Sequence, residues 1–256
     1  VCFLVIVVPS VDHVIADVIG HVFEIPAGSA WLTAIVCTVI GLQAVIHVFG
    51  VRLASVINSV AVFTEMAGMV GLVALFGFLA LRNGPSLEIL GQPSPLTGAG
   101  QGWTPWLMGC LMGAYTLVGF ESAANLSEET IDAASTVPRA VVWSVVVSGG
   151  VGTVFLVVVT LGITNLPALA ASDYPLPEII RINLGSTMSN LFLGLVVVSV
   201  FACGLIIMAS GSRLVYAMAR DNVFPASQLF RRVSPGSAVP VPAILLILVL
   251  GVLAEI

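Results

Sequence analysis

Residues 103–125 read WTPWLMGCLMGAYTLVGFESAAN, and this stretch decides the fold. It is long enough to cross a bilayer, which takes about 20 mostly apolar residues. Near its far end it holds Gly119-Phe120-Glu121-Ser122. A charged side chain at membrane depth is costly unless it faces protein or water, so an ionisable residue there points to function. Glycine beside it lets the backbone leave the helix, and backbone groups freed in that way survive only where they line a cavity. The stretch predicts a discontinuous helix around a site near the membrane midplane, an arrangement by which many secondary transporters hold a small solute.

The rest of the chain agrees with a membrane setting. Of 256 residues, 59% are hydrophobic and only 8% are charged, against roughly 25% charged in a soluble domain. Apolar runs of about 20 residues exclude a transmembrane β-barrel, whose strands are shorter and alternate in polarity. The chain is expected to be all-α, a polytopic transmembrane helix bundle in contact with the lipid bilayer. All eight basic residues are arginine, and they form no nucleic-acid-binding patch. Cys2, Cys37, Cys110 and Cys203 lie in apolar segments without metal-ligand spacing, so neither a metal site nor a cofactor is expected. Val1 to Pro9 lacks the basic start and small-residue cleavage site of a signal peptide.

Five complete spans are predicted, at 30–49, 56–81, 104–124, 140–163 and 191–210. Val1–Val8 is apolar but too short to span, and the segment from Val241 onward reads as a span interrupted before its end. The chain therefore reads as a fragment of one transmembrane domain, 1–256, with a broken helix at each end. Val11 to Ala27 mixes acidic and apolar residues and suits a short helix lying at the interface. Breakers punctuate the connections: Asn83-Gly84-Pro85, Asn165-Leu166-Pro167, Tyr174-Pro175-Leu176-Pro177 and Ser234-Pro235-Gly236. Six of the eight arginines fall in alternate loops, at Arg52, Arg139, Arg213, Arg220, Arg231 and Arg232. The positive-inside rule places those loops in the cytoplasm, so the helix from Thr104 runs inward from outside.

The stretch from Gly113 to Thr130, GAYTLVGFESAANLSEET, followed by Val137-Pro138-Arg139-Ala140, resembles the sixth helix and following loop of amino acid permeases. These belong to the amino acid–polyamine–organocation superfamily, and the similarity is greatest to its amino acid/choline and GABA permease branch. Ser212 to Asp221 (SRLVYAMARD), then Phe224-Pro225 and Pro240-Val241-Pro242, resembles the eighth helix, its loop and the start of the ninth. Arg52-Leu53 through Asn58 and Phe63 to Gly68 is similar to the fifth. The resemblance implies a leucine-transporter-like fold, an inverted 5+5 repeat, here running from the end of helix three to the start of helix nine and truncated at both ends. It departs from the family at Asp132-Ala133, where relatives usually carry Asn-Pro. It departs again in the fifth helix, where some proton-coupled relatives carry a lysine and this chain reads Val62-Phe63-Thr64-Glu65.

The candidate substrate-binding residues are Tyr115, Gly119, Phe120, Glu121 and Ser122. An unwound turn at Gly119 exposes carbonyl oxygens that accept hydrogen bonds from a substrate ammonium. Ser122 is expected to cap the resumed half-helix, whose positive dipole end favours the neighbouring acid. Glu121 is either a proton-linked gate, as the resemblance implies, or an acid that pairs within the bundle or snorkels. Tyr115, one turn before Gly119, either covers the substrate with its ring, which attracts ammonium groups, or is a core aromatic. Phe120 either lines the pocket or packs behind it. Candidate coupling and gating residues are Glu121, Glu65, Ser210 and Ser212. Glu65 is a second acid at membrane depth, with Asn58 and Thr64 nearby. The two serines resemble the place where related folds ligate sodium, although such serines more often bond back to their own helix. Ser127 to Thr130 reads as a loop-ordering cluster near Arg139. His13, His21 and His47 show no metal-ligand pattern and have no assigned role.

These features predict secondary active transport of an amino acid or related amine, such as GABA or choline. The movement is by alternating access, coupled to protons or run as exchange. The alternative is a sensor that binds amino acids on a transporter fold without carrying them. An enzyme is not expected, because no Ser/His or His-Glu-x-x-His pattern exists, and no phosphate-binding glycine loop supports ATP drive.

Overall fold

The computed structural model describes residues 1–26, 28, 30–83, 89, 103–125, 127, 130–163, 166, 169, 172, 174–234 and 239–255. Within them the chain forms α1 (Cys2–Val22), α2 (Ala30–Phe49), α3 (Val51–Asn83), α4 (Thr104–Thr116), α5 (Ser122–Asn125), α6 (Ala133–Thr160), α7 (Pro175–Leu184), α8 (Ser186–Arg220), α9 (Ser227–Phe230) and α10 (Val241–Glu255). Five helices, α1, α2, α3, α6 and α8, are long and apolar enough to cross a membrane. The chain is an all-α, multi-pass integral membrane protein.

The first predicted span coincides with α2, α3 and α8 extend beyond both of their expected limits, and α6 starts before its expected limit and ends three residues short of it. The largest correction lies at the amino-terminal end. Val1–Val8 and Val11–Ala27 are not a stump followed by an interfacial helix. Residues 2–22 form one 21-residue helix that carries Pro9 in its interior. Proline removes one backbone donor, and membrane helices tolerate it where neighbouring helices re-satisfy the freed group. Of the acids that made the segment read as interfacial, Asp12 is fully buried. A second correction concerns Tyr174-Pro175-Leu176-Pro177. This turn signal opens a helix, because proline in a first turn is already set at a helical φ and its missing N–H would be unpaired there anyway. The turns expected at Asn83-Gly84-Pro85, Asn165-Leu166-Pro167 and Ser234-Pro235-Gly236 fall largely outside the described residues.

The chain divides into two compact units. The first comprises Val1–Glu65, Ala124–Ile131 and Leu195–Ile256. Its core gathers Val5, Val8 and Ala16 of α1, Leu32, Val36, Ile40 and Ala44 of α2, Met208 and Val215 of α8, and Ala243, Ile244 and Ile247 of α10. The buried residues of α2 recur at three- and four-residue intervals, which puts them on one helical face. In lipid, such faces associate through close packing and hydrogen bonds rather than by escape from water.

The second unit comprises Met66–Ala123 and Asp132–Gly194. Phe76 of α3 is its centre, 1% exposed and packed with Phe155 and Val159 of α6 and Ile179 and Ile180 of α7. Asn183 of α7 donates through Nδ2 to the carbonyls of Gly162 and Ile179, each at 2.9 Å. Ser189 Oγ donates to the Pro177 carbonyl at 2.9 Å. On the outer side of α7, Arg181 makes a two-pronged contact with Glu178. That guanidinium holds the Glu178 carboxyl below its ordinary value, chiefly by hydrogen bonding. Elsewhere α6 turns Val142, Trp143 and Leu156 outward, the surface expected of a lipid-facing helix.

Candidate functional site

The predicted interruption is present. Helix α4 ends at Thr116, and its last turn tightens, with the Leu117 N–H donating to the Ala114 carbonyl at 3.2 Å and the Val118 N–H to Tyr115 at 3.1 Å. The chain then reverses. Gly119 takes φ +104°, a backbone conformation that a residue with a Cβ rarely adopts. The Ser122 N–H closes a four-residue turn on the Gly119 carbonyl at 3.0 Å. Inside this turn the Gly119 N–H donates to Glu121 Oε2 at 3.1 Å. The acid thus folds onto the donor that the broken helix leaves without an intrahelical partner.

Tyr115, Gly119, Phe120, Glu121 and Ser122 all lie on this one reversal. Tyr115, Gly119 and Phe120 are exposed, and Glu121 and Ser122 are half-buried. The expected role of Ser122 changes. It is the first residue of α5, held by its own N–H, rather than a side-chain cap. Helix α5 has four residues, too few for a dipole argument to carry weight. Of the following cluster, Glu128 and Glu129 lie outside the described residues, while the Thr130 N–H donates to the Ser127 carbonyl at 3.2 Å.

Glu65, Ser210 and Ser212 belong to the first unit. Glu65 is half-buried on α3, and its neighbour Thr64 bonds back to the Val60 carbonyl at 2.8 Å. Ser212 is buried and donates to the Ala209 carbonyl of its own helix at 2.9 Å. Ser210 is fully buried, and its hydroxyl has no partner among the described residues. Among the described residues no group of three or more His, Cys, Asp or Glu is placed to hold a metal.

Two features of the first unit escaped the sequence reading. Asp12 of α1 and Gln43 of α2 are both fully buried, with Gln43 Nε2 donating to Asp12 Oδ1 at 2.8 Å. They meet over Gly204 of α8, where an added Cβ would stand 2.2 Å from Gln43 Nε2 and 2.7 Å from Asp12 Oδ1. One signal pointed this way: Leu4, Val8, Asp12, Ile15 and Ala16 share a helical face. The second feature is His47, whose ring Nε2–H donates 2.8 Å to the Leu205 carbonyl of α8. It borders a cavity of about 430 Å³ whose polar lining includes Asn125, Ser127, Ser212, Arg213 and Tyr216.

The described residues form a multi-pass helical chain with a helix broken around glycine and an acid, and comparison with known proteins gives its family. Residues 1–255 match the model of the amino acid permease family, and the chain belongs to that family, within the amino acid–polyamine–organocation superfamily. It is similar to the amino-acid permease BAT1 of Arabidopsis thaliana, at 26% identity over 79% of this chain and 42% of that protein. It is also similar to the GABA-specific permease of Saccharomyces cerevisiae, at 31% identity over 61% of this chain and 28% of that one. The low-affinity putrescine importer PlaP of Escherichia coli is 30% identical over 59% of this chain and 33% of the importer. The chain thus spans less than half the length of these relatives.

Proposed function

We propose that this protein is a secondary active transporter of an amino acid or related amine, working by alternating access with proton coupling or exchange. The observation that carries the reading is the reversal at Gly119, where α4 stops and Glu121 folds back on the Gly119 N–H. A helix broken in this way puts backbone polar groups and an acid at one membrane depth. Such a place suits a cationic amine, through carbonyl oxygens, the carboxylate and the exposed ring of Tyr115. The names of the relatives, which include a GABA permease and a putrescine importer, support an amine-bearing substrate. The family match across residues 1–255 supports reading the chain as one transporter domain of the leucine-transporter-like kind. Arginine-rich loops at Arg139 and from Arg213 to Arg232 belong on the cytoplasmic side in this reading.

The test is uptake by the reconstituted protein. Radiolabelled GABA, putrescine, choline and a panel of amino acids are offered to proteoliposomes, with and without an imposed pH gradient. Accumulation of at least one amine above equilibrium is expected, and its collapse with the gradient identifies proton coupling. Saturable binding with no uptake under any gradient would instead describe a sensor and end the transport reading.

A further inference from the structure

The Asp12–Gln43 pair is short of donors. Gln43 Nε2 serves Asp12 Oδ1, but Asp12 Oδ2 and Gln43 Oε1 are both buried with no hydrogen-bond partner among the described residues. Among the described residues no cationic group pairs with Asp12. A buried polar atom left without a partner is expensive, and most native structures avoid it. The packing holds the pair in place. Gly204 leaves no room for even a methyl group beneath it, and Val8, Val36 and Ile40, all 0% exposed, seal the surrounding core. Two buried acceptor oxygens with no donor among the described residues suit a small positive ligand. A hard metal cation takes about six oxygens, whereas one proton on Oδ2 turns an orphaned acceptor into a donor.

We propose that Asp12, held by Gln43 over Gly204, is a proton-binding site of this protein, and that its loading and unloading couple protons to the transport cycle. The second half of that statement rests on the transport reading given above. On loading, a water-borne proton forms an O–H bond at Oδ2 while Gln43 continues to donate to Oδ1. On unloading, that bond breaks and the proton returns to water. The hydronium O–H bond that carried the proton breaks on loading and re-forms on unloading, and nothing is oxidised or reduced. Other titratable or charged groups stand around the pair. On α1 these are His13 and Asp17, with Glu255 of α10 3.4 Å from His13 Nδ1. His47 lies one turn along α2 from Gln43, with Arg213 of α8 in electrostatic reach of it. Cys203 of α8 is within electrostatic reach of both Asp12 and Glu65 of α3.

The proposal is read directly by infrared difference spectroscopy of the purified protein between acid and alkaline pH, with and without carbon-13 aspartate. A carboxylic-acid band that shifts with the label, titrates, and disappears in Asp12→Asn but persists in Asp17→Asn is expected. Absence of any titrating aspartate band in the wild type, or its persistence in Asp12→Asn, overturns the assignment. Because the labelled wild type is informative alone, a poorly folding variant does not spare the idea. Gln43→Leu supplies a further check, since loss of the Oδ1 hydrogen bond must move the band. In proteoliposomes, Asp12→Asn is expected to retain downhill exchange and lose gradient-driven accumulation. Undiminished accumulation by that variant overturns the coupling role while leaving transport intact. A wild type that carries nothing defeats the transport reading and with it the coupling role, and the spectrum still decides whether Asp12 holds a proton.

Discussion

Glu121 Oε2 accepts the backbone N–H of Gly119, two residues earlier, at 3.1 Å. The acid and the break are therefore one feature. The side chain that would bear charge at membrane depth also satisfies a donor freed by ending the helix. Glutamine at position 121 keeps an acceptor oxygen for that donor and removes the ionisable group. Glu121→Gln is expected to fold and to flatten the pH dependence of uptake. The check is uptake against pH in reconstituted vesicles, and a profile identical to wild type would remove Glu121 from the gating machinery.

Gly119 has φ +104° and open space around its α-carbon. Its requirement is conformational rather than steric. Gly119→Ala is expected to cost about 1–3 kcal/mol, the usual range for a residue forced into a sparsely populated backbone region. It should also lower transport more than it lowers expression. Thermal unfolding in detergent, compared with uptake, measures both, and an alanine variant as stable and as active as wild type would contradict the strained turn.

Tyr115 is 53% exposed on the turn before the break. If its ring covers an ammonium group, Tyr115→Ala weakens substrate affinity, and Tyr115→Phe, which keeps the ring face, is tolerated. Substrate-concentration curves for the two variants separate the cases. Equal loss in both assigns the contact to the hydroxyl.

Glu178 and Arg181 give a pH signature on α7. The folded-state pKa of Glu178 is lowered from its ordinary 4.5 by the Arg181 guanidinium. The pair's contribution is therefore complete above the unfolded value and is lost as pH falls through the lowered folded one. Glu178→Gln should unfold slightly more easily than wild type at neutral pH and match it in acid. Melting curves at both pH values test this, and a gap that stays constant would mean the ion pair is not its source. Arg181 is exposed and Glu178 half-buried at the surface, so the effect is small.

Phe76 fills the centre of the second unit. Phe76→Ala is expected to cost roughly 3–5 kcal/mol through the cavity left behind. Gly162→Ala acts on the same contact from the other side, because its added carbon would stand 2.7 Å from the Phe76 ring. Gly162→Ala alone should destabilise, and the combination with Phe76→Leu should recover part of that loss. Strict additivity in denaturation measurements would show that the two residues do not communicate.

The break at Gly119 was legible because its signals are adjacent: glycine, then an acid, inside an apolar run. The Asp12 site was not, because its three members come from α1, α2 and α8, and Gln43 is 31 residues from Asp12. The apolar face that Asp12 shares hinted at burial, but nothing local identifies the distant glutamine that it meets. Pro9 strengthened the wrong reading by dividing one helix into an apparent stump and a surface segment. Helix α7 was hidden for a related reason. Pro175 and Pro177 are turn residues in isolation, and only the burial of Ile179 and Ile180 against Phe76 fixes them as a helix start. Ser212 follows the commoner habit of membrane serines, bonding to its own helix.

Helix α8 contains 35 residues, and at about 1.5 Å per residue it is about 52 Å long. The hydrocarbon it crosses is about 30 Å thick. Even at a slant of about 40°, the steepest commonly seen, some of that length must emerge, and Arg213 and Arg220 suit the end that does. The same unbroken rod carries Gly204 beneath the Asp12–Gln43 pair. A probe confined to the aqueous phase therefore has a handle on the backbone that lies under the buried Asp12–Gln43 pair.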